Sequence, residues 1–327
     1  NAQLINRYGY LLKDLYHMAE LCQILRQRRH KRGGLDFDLP EPEVILDIQG
    51  NPQDIVRAKR NLAHSIIEEF MIVTNEVVAR HIESLQIPSI YRVHEKPDRD
   101  RLDETMSFLH AAGLIKTPHF GSIKDLHKFV ASFSGDPLEE LIFKFILKSL
   151  KQARYSTSNI GHFGLASECY THFTSPIRRY PDLVVHRILK DIILYSEVRY
   201  PDDEMFETLL DDIASSSSRS ERKADEVENK SIDVMRVWFM KDKIGEVFSG
   251  YVTNVSSYGL RVRLKDYYLE GFLHVSQMVD DYYRYDERSV RLIGAHRKKV
   301  FGIGKRLDVV VESVDMDTLE VSFGLPI

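Results

Sequence analysis

The sequence predicts an α+β chain in two parts: a mixed helix-and-strand unit over residues 1–241 and a small five-stranded β-barrel over residues 242–327. Three observations predict it. Before about Lys241, most segments carry apolar residues at helical spacing. From about Lys243 the pattern changes: Val247, Tyr251, Val255, Leu260, Val262 and Leu264 recur at short spacing, with Gly250 and Gly259 between them. At 327 residues, with 43% hydrophobic and 29% charged side chains, the chain has the size and balance of an ordinary globular protein of two or three domains.

Each element follows in order. Leu11 to Arg29 reads as a helix through Leu12, Leu15, Met18, Leu21 and Leu25, and Lys31-Arg32-Gly33-Gly34 ends it with cations and a glycine cap. Leu35 to Val56 reads as strands around a turn at Gly50-Asn51-Pro52. Asn61 to Leu85 is a long helix with Ile66, Ile67, Phe70, Val73, Val77 and Val78 on its apolar side. Asp98–Gly113, Ser122–Ser132 and Pro137–Gln152 are shorter helices, and Tyr155–Gly161 is polar and irregular. Asp182–Tyr195 is helical, as is Glu204–Phe239, which the serine run Ser215–Ser218 is expected to break. Beyond the domain boundary, Gly271–Val275, Lys305–Val314 and Leu319–Phe323 continue the strand pattern, and regular turn signals between them indicate a barrel of the OB type.

The two cysteines, Cys22 and Cys169, lie far apart, which speaks against a disulfide framework or a cysteine zinc site and fits a reducing cytoplasm. No apolar run approaches the roughly 20 residues needed to span a bilayer. The chain starts at Asn1 without a Met, in what reads as mid-domain sequence, as expected for a fragment or processed chain. A net charge of -4 disfavours non-specific coating of duplex nucleic acid but is compatible with an internal channel threaded by one strand.

The densest chemistry lies between Gly161 and Arg187: His162-Phe163-Gly164-Leu165-Ala166, then His172-Phe173-Thr174-Ser175-Pro176-Ile177-Arg178-Arg179-Tyr180-Pro181-Asp182, then His186-Arg187. Pro176 and Pro181 constrain the loop that carries the two arginines. Rigidly held guanidinium groups suit binding of phosphate charge. They suit equally a loop of structural ion pairs with Asp182 capping the following helix. The spacing of His162, His172 and His186 is not that of a zinc motif, and only Cys169 lies near, so hydrogen bonding within the fold is the expected role.

The run from His162 to Arg187 resembles the signature of the ribonuclease II and ribonuclease R family of exoribonucleases. Gly33-Gly34-Leu35-Asp36-Phe37, Ile66-Ile67-Glu68-Glu69-Phe70-Met71, Tyr91-Arg92-Val93-His94-Glu95 and Ser220-Glu221-Arg222-Lys223-Ala224-Asp225-Glu226 agree in order with the ribonuclease R branch. The resemblance covers essentially the whole chain. It implies an RNB-type catalytic domain and hydrolysis of RNA from the 3′ end, one nucleotide at a time, to nucleoside 5′-monophosphates, with magnesium as cofactor. Arg178 matches the family arginine at the scissile phosphate, and Glu221 a glutamate near the active site that influences product release. Phe37 matches an aromatic residue that stacks on a base near the 3′ end, or it is a core strand residue. Glu69 matches a carboxylate near the terminal nucleotide that accepts from a ribose hydroxyl, or it is a solvated helix-face charge. Arg179 and Tyr180, on the same loop, are candidate RNA contacts.

The family's metal site uses one aspartate followed by Asp-x-Asp-Asp. Asp98, Asp100 and Asp103 are spaced differently, and Asp211-Asp212 and Asp280-Asp281 are isolated pairs. The resemblance places the cluster upstream of Asn1, so the magnesium ligands are expected outside this segment, on an N-terminal region or a second chain. Single-stranded RNA is the implied partner, with the ribosome or other RNA-processing factors as further candidates. Gly250-Tyr251-Val252, Ser257-Tyr258-Gly259-Leu260 and Glu270-Gly271-Phe272-Leu273-His274-Val275-Ser276 resemble the RNA-binding OB domain of the ribosomal-protein type. Tyr258 and His274 match its nucleic-acid face, while Leu319 stands where many such domains carry an arginine. A basic tract, Arg288, Arg291, Arg297, Lys298, Lys299, Lys305 and Arg306, follows a phosphate backbone or forms a solvated loop.

Overall fold

Helix α1 (Leu12–Arg32) stops at Gly33, whose φ of 100° closes the last turn as only glycine does without strain. The computed structural model describes residues 6–37, 39, 42–58, 60–117, 123–195 and 203–326. Within α1 the expected apolar side is not the packed one. Leu12, Leu15 and Leu21 are exposed, and the helix buries Cys22 and Arg29. The expected strand from Leu35 begins later, as β1 (Pro42–Leu46), which pairs antiparallel with β2 (Pro52–Arg57). Leu35 is not free to join a ladder because its N–H donates to the Gly164 carbonyl. The β1–β2 turn is stapled by the Asp47 carboxylate, which accepts from the Gln49 and Asn51 N–H groups.

Helix α2 (Leu62–Ser84) starts with a capping box between Asn61 and His64. Its buried face includes Glu69, Asn75 and Glu76, while Ile67 and Val77, expected inside, are exposed. Strand β3 (Tyr91–Val93) follows, then α3 (Arg99–Ala111) capped by Asp98, α4 (Ile123–Ala131) and α5 (Glu139–Ser149). Strand β4 (Arg154–Ser156), in the stretch expected to be irregular, pairs antiparallel with β3. Helices α6 (Tyr180–Tyr195) and α7 (Asp203–Lys241) complete this unit.

Helix α7 runs unbroken through Ser215–Ser218, against expectation. The Ser218 hydroxyl donates to the Ala214 carbonyl one turn back and accepts the Tyr155 N–H. Ser218 thus satisfies its hydroxyl within the helix while tying β4 to it.

The barrel closes in the order β11-β12-β7-β6-β5, from β5 (Val247–Ser256), β6 (Gly259–Leu264), β7 (Glu270–His274), β11 (Arg306–Asp315) and β12 (Glu320–Gly324). Only the β12–β7 pairing is parallel among these five. At Gly259 (φ 152°) a side-chain carbon would lie 2.2 Å from the Leu273 carbonyl, so the β5–β6 corner requires glycine. Between β7 and β11 the chain builds a second, three-stranded antiparallel sheet: β8 (Tyr283–Asp286), β9 (Arg291–Gly294) and β10 (Val300–Gly302). Most of the basic tract thus belongs to a folded insert. Barrel residues such as Val262, Leu273 and Phe323 share one continuous hydrophobic cluster with Leu109, Phe143, Ile146 and Met240 of the helical unit. Arg263, nearly buried, bonds across the seam to Glu140 on α5 (3.2 Å).

Candidate functional site

The loop between His172 and Tyr180 is fixed from below by buried polar groups. The Phe173 N–H donates to Asn75 Oδ1 (3.0 Å), and Asn75 Nδ2 donates to the Tyr170 hydroxyl (2.9 Å). The Phe173 ring stacks on His186 at 3.9 Å, and the His186 Nε2 bonds the Phe173 carbonyl (2.8 Å). Asp182, fully buried in the first turn of α6, accepts the Ser175 N–H (2.8 Å) and a bond from Arg179 (2.7 Å). The two arginines therefore differ. Arg179 points inward and pairs with Asp182, whereas Arg178 is exposed and its side chain makes no hydrogen bond or ion pair among the described residues. The reading of a structural ion pair with Asp182 thus holds for Arg179. Tyr180, at the start of α6, is 52% exposed beside them.

Beneath the loop lies a cluster of rings. The Tyr155 hydroxyl bonds His172 Nδ1 (2.9 Å), and ring contacts run from Tyr155 to His172, from His172 to Tyr170, from Tyr170 to His162 and from His162 to His94. Burial, reinforced by Arg179 and Arg92, pushes His172 down to about 2. Burial with His94 and Arg92 nearby pushes His162 down to about 3. Burial raises Tyr155 to about 12. All three rings are neutral at physiological pH, so the charges here belong to the arginines and to Glu221.

Glu221, on α7, is held by Arg92 of β3 at 2.5 Å. The Arg92 guanidinium lies 4.8 Å over the Tyr155 ring. Arg92 thus joins Glu221 to the ring cluster under the arginine loop. No pattern in the sequence singles it out; its one signal is a place in the Tyr91–Glu95 segment.

Phe37 and Glu69 sit in a neighbouring layer. Phe37 lies in coil and is half-buried, edge-on to Phe143 of α5 at 5.2 Å. It is therefore not a strand residue. Three residues before it, at Gly34, a side-chain carbon would meet Arg29 Cγ at 2.7 Å. Glu69 is 3% exposed, and its Oε1 takes both bonds from Arg29, at 3.1 and 2.6 Å. Of the two alternatives for Glu69, the solvated helix-face charge is overturned: it sits in a buried ion pair. The flanking Asp36 is tied to Arg26 (2.7 Å), and Asp38 lies outside the described residues.

On the barrel, Tyr258 in the β5–β6 turn is 70% exposed and its carbonyl accepts the Val275 N–H. His274 ends β7, opposite Gly259 in the pairing, with Nδ1 accepting the Ser276 N–H. The same register puts Arg261 opposite Phe272, adding an exposed cation and a half-buried ring to the face that the sequence identified only by Tyr258 and His274. Leu319 occupies a left-handed position (φ 57°) at the β11–β12 turn.

Comparison with known proteins places this arrangement. The model of the RNB domain matches residues 3–195, more than half of the chain. The chain belongs to the RNB family. The S1 RNA binding domain matches residues 241–325 of this RNB chain. It is 41% identical to Ribonuclease R of Aquifex aeolicus over 98% of the chain and 45% of the relative, and 43% identical to Ribonuclease R of Thermotoga maritima over 96% and 44%. The chain thus spans less than half the length of these relatives. Apo RNase R of Mycoplasma genitalium superposes with a TM-score of 0.85 at 26% identity, covering 96% of the RNB chain and 50% of that one. That RNase R is also known in complex with ribose-methylated single-stranded RNA.

Proposed function

We propose that this chain supplies part of the catalytic domain (residues 1–241) and the RNA-binding barrel (residues 242–327) of a 3′→5′ exoribonuclease that acts on single-stranded RNA in the cytoplasm and releases nucleoside 5′-monophosphates. The observation that carries the reading is Arg178: a free guanidinium displayed on a loop fixed by buried partners, in an RNB chain similar to Ribonuclease R. A cation fixed in that way offsets charge that develops on a phosphate in the transition state without reorganising. Glu221, oriented by Arg92, sits at the edge of the same cluster and acts on release of the product. Phe37 stacks on a base near the 3′ end. Glu69 acts there together with Arg29, and Tyr180 and Arg179 border the path. Tyr258 and His274 hold RNA farther along.

Magnesium is the metal this reading implies. Among the described residues, no group of three or more His, Cys, Asp or Glu side chains could hold a metal ion. These residues do not fit the ion. The aspartates are proposed to come from an N-terminal region or a second chain.

The test is degradation of 3′-accessible and 3′-blocked single strands with magnesium, by this chain alone and with the remaining RNB portion of a relative added. Cleavage of only the accessible strand supports the reading. Binding without cleavage in both preparations would reduce the chain to an RNA-gripping module, and cleavage of the blocked strand would overturn the 3′→5′ direction.

A further inference from the structure

Residues 280–306 carry eight Lys or Arg against four Asp or Glu, inside a chain of net charge -4. Three of the four acids, Asp280, Asp281 and Asp286, are held within the insert. Asp281 accepts the Tyr282 N–H (2.7 Å), the His296 N–H (3.0 Å) and the Arg297 N–H (2.6 Å). Asp286 accepts from the Ser289 hydroxyl and the Arg288 N–H, and Asp280 from the Tyr283 hydroxyl and Lys299. The cations are treated differently. Arg297 and Lys298 are exposed and make no side-chain hydrogen bond or ion pair among the described residues.

Strand register gathers them at one end of the sheet. Tyr283 pairs with Gly294, and Gly294 bonds Lys299, so Tyr282 and the 295–298 turn leave the sheet together; the Ala295 N–H donates to the Tyr282 carbonyl (2.8 Å). Tyr282 is 69% exposed there. The turn is built in advance: Lys298 takes a left-handed backbone (φ 56°), and at Gly294 any side-chain carbon would meet Asp281 Oδ2 at 2.5 Å. This same end is the one that the chain reaches from His274, eight residues before Tyr282, or at most about 28 Å of backbone.

We propose that Tyr282, His296, Arg297 and Lys298 form a second binding site for single-stranded RNA, apart from the Tyr258–His274 face, with the cations on the phosphodiester backbone and Tyr282 stacked on a base. The aromatic platform beside unpaired cations is the combination by which single strands are held without regard to sequence. The site rests on the RNA-handling reading above and extends the track of the barrel.

The experiment measures binding of this chain to a fluorescent single-stranded oligoribonucleotide as a function of salt. Arg297→Ala with Lys298→Ala is expected to weaken binding and to make the slope of log affinity against log salt shallower by about 1.4, at about 0.7 per phosphate contact on a single strand. Tyr282→Ala is expected to weaken binding between about 5-fold and about 150-fold with the slope unchanged. Asp281→Asn opens the turn while making the protein more positive; the site predicts weaker binding, whereas mere attraction to net charge predicts tighter binding. Lys241→Ala with Lys265→Ala, cations elsewhere on the surface, should leave the slope as it is. Absence of RNA binding by the unaltered chain would overturn the functional reading and the site together. Full binding with an unchanged slope in the Arg297/Lys298 variant would overturn the site alone, and so would loss of a polyglutamate probe with RNA binding retained, which would make the surface a protein dock.

Discussion

On the proposed reading, the arginine loop and the barrel face solve the same problem, holding a polyanion, by opposite means. The loop of residues 172–182 hangs over neutral, buried rings and sends one arginine inward to Asp182 so that its neighbour is held outward. The barrel face rests instead on the apolar barrel core, with Leu260 and Leu273 on the opposite side of the same strands. Arg261, Phe272 and His274 stand on strands whose positions are set by a closed ladder, with Tyr258 in the turn that joins two of them. A loop needs buried partners to define one geometry, because its backbone has no ladder to fix it. Strands supply geometry with the fold and leave the side chains free to grip loosely. The first arrangement suits placing one charge accurately, and the second suits holding a polyanion without fixing it at one point.

The largest effect should come from the outward arginine. In the enzyme completed with its aspartates, Arg178→Ala is expected to cut turnover by about 10²–10³, the typical cost of removing one fixed transition-state contact, with RNA affinity little changed. Single-turnover kinetics beside equilibrium binding measures this split. Equal loss in both would make Arg178 an ordinary binding cation and erase the contrast with the barrel.

Arg179→Ala should act on folding instead. It leaves Asp182, fully buried, without its cation, and breaking such a pair costs about 3 kcal/mol. Denaturant midpoints should fall accordingly, while Arg178→Ala leaves them nearly unmoved. An Arg179→Ala protein of unchanged stability would show that the loop is not anchored through this pair.

Neutral histidines under the loop sharpen the comparison by pH. His172 and His162 sit at about 2 and about 3 in the fold, against 6.5 as their ordinary value. The unfolded chain therefore binds protons first as pH falls. The stability these rings contribute is present above about pH 6.5 and is lost progressively below it. Between pH 7 and 5.5 each should cost about 1 kcal/mol. Thermal melts at the two pH values, with His172→Phe as the comparison, test this. A wild-type melt that does not fall at pH 5.5 would mean the rings are not held neutral.

How much of this could be read from the sequence follows the length of each signal. The helices and the barrel announce themselves through long periodic stretches, and Gly33, Asn61 and Asp98 mark helix ends where the structure has them. Strands β3 and β4 are three residues each, too short for alternation to register, yet they position Arg92 and Tyr155. The insert strands are nearly as short, so their cations read as a tract. On α2, apolar periodicity favoured Ile67 and Val77, but the helix turns Glu69, Asn75 and Glu76 inward because buried arginine and loop partners await them. Arg178 and Arg179 are adjacent and chemically alike, and only the fold decides which of them is spent on structure.

The smallest effect belongs to the barrel face. Tyr258 is 70% exposed, so its ring contributes a platform and little to the core. Tyr258→Ala should lower RNA affinity by about 1 kcal/mol, the low end for a stacked base, without changing stability or the turnover of RNA already bound. Because the lost contact is uncharged, the salt dependence of binding should not change. Affinity measured at two salt concentrations beside single-turnover cleavage separates the regions: the arginine loop answers in rate and the barrel in binding. A Tyr258→Ala enzyme slowed in single turnover at saturating enzyme would mean that the barrel also shapes the reacting geometry, and that division of labour would fail.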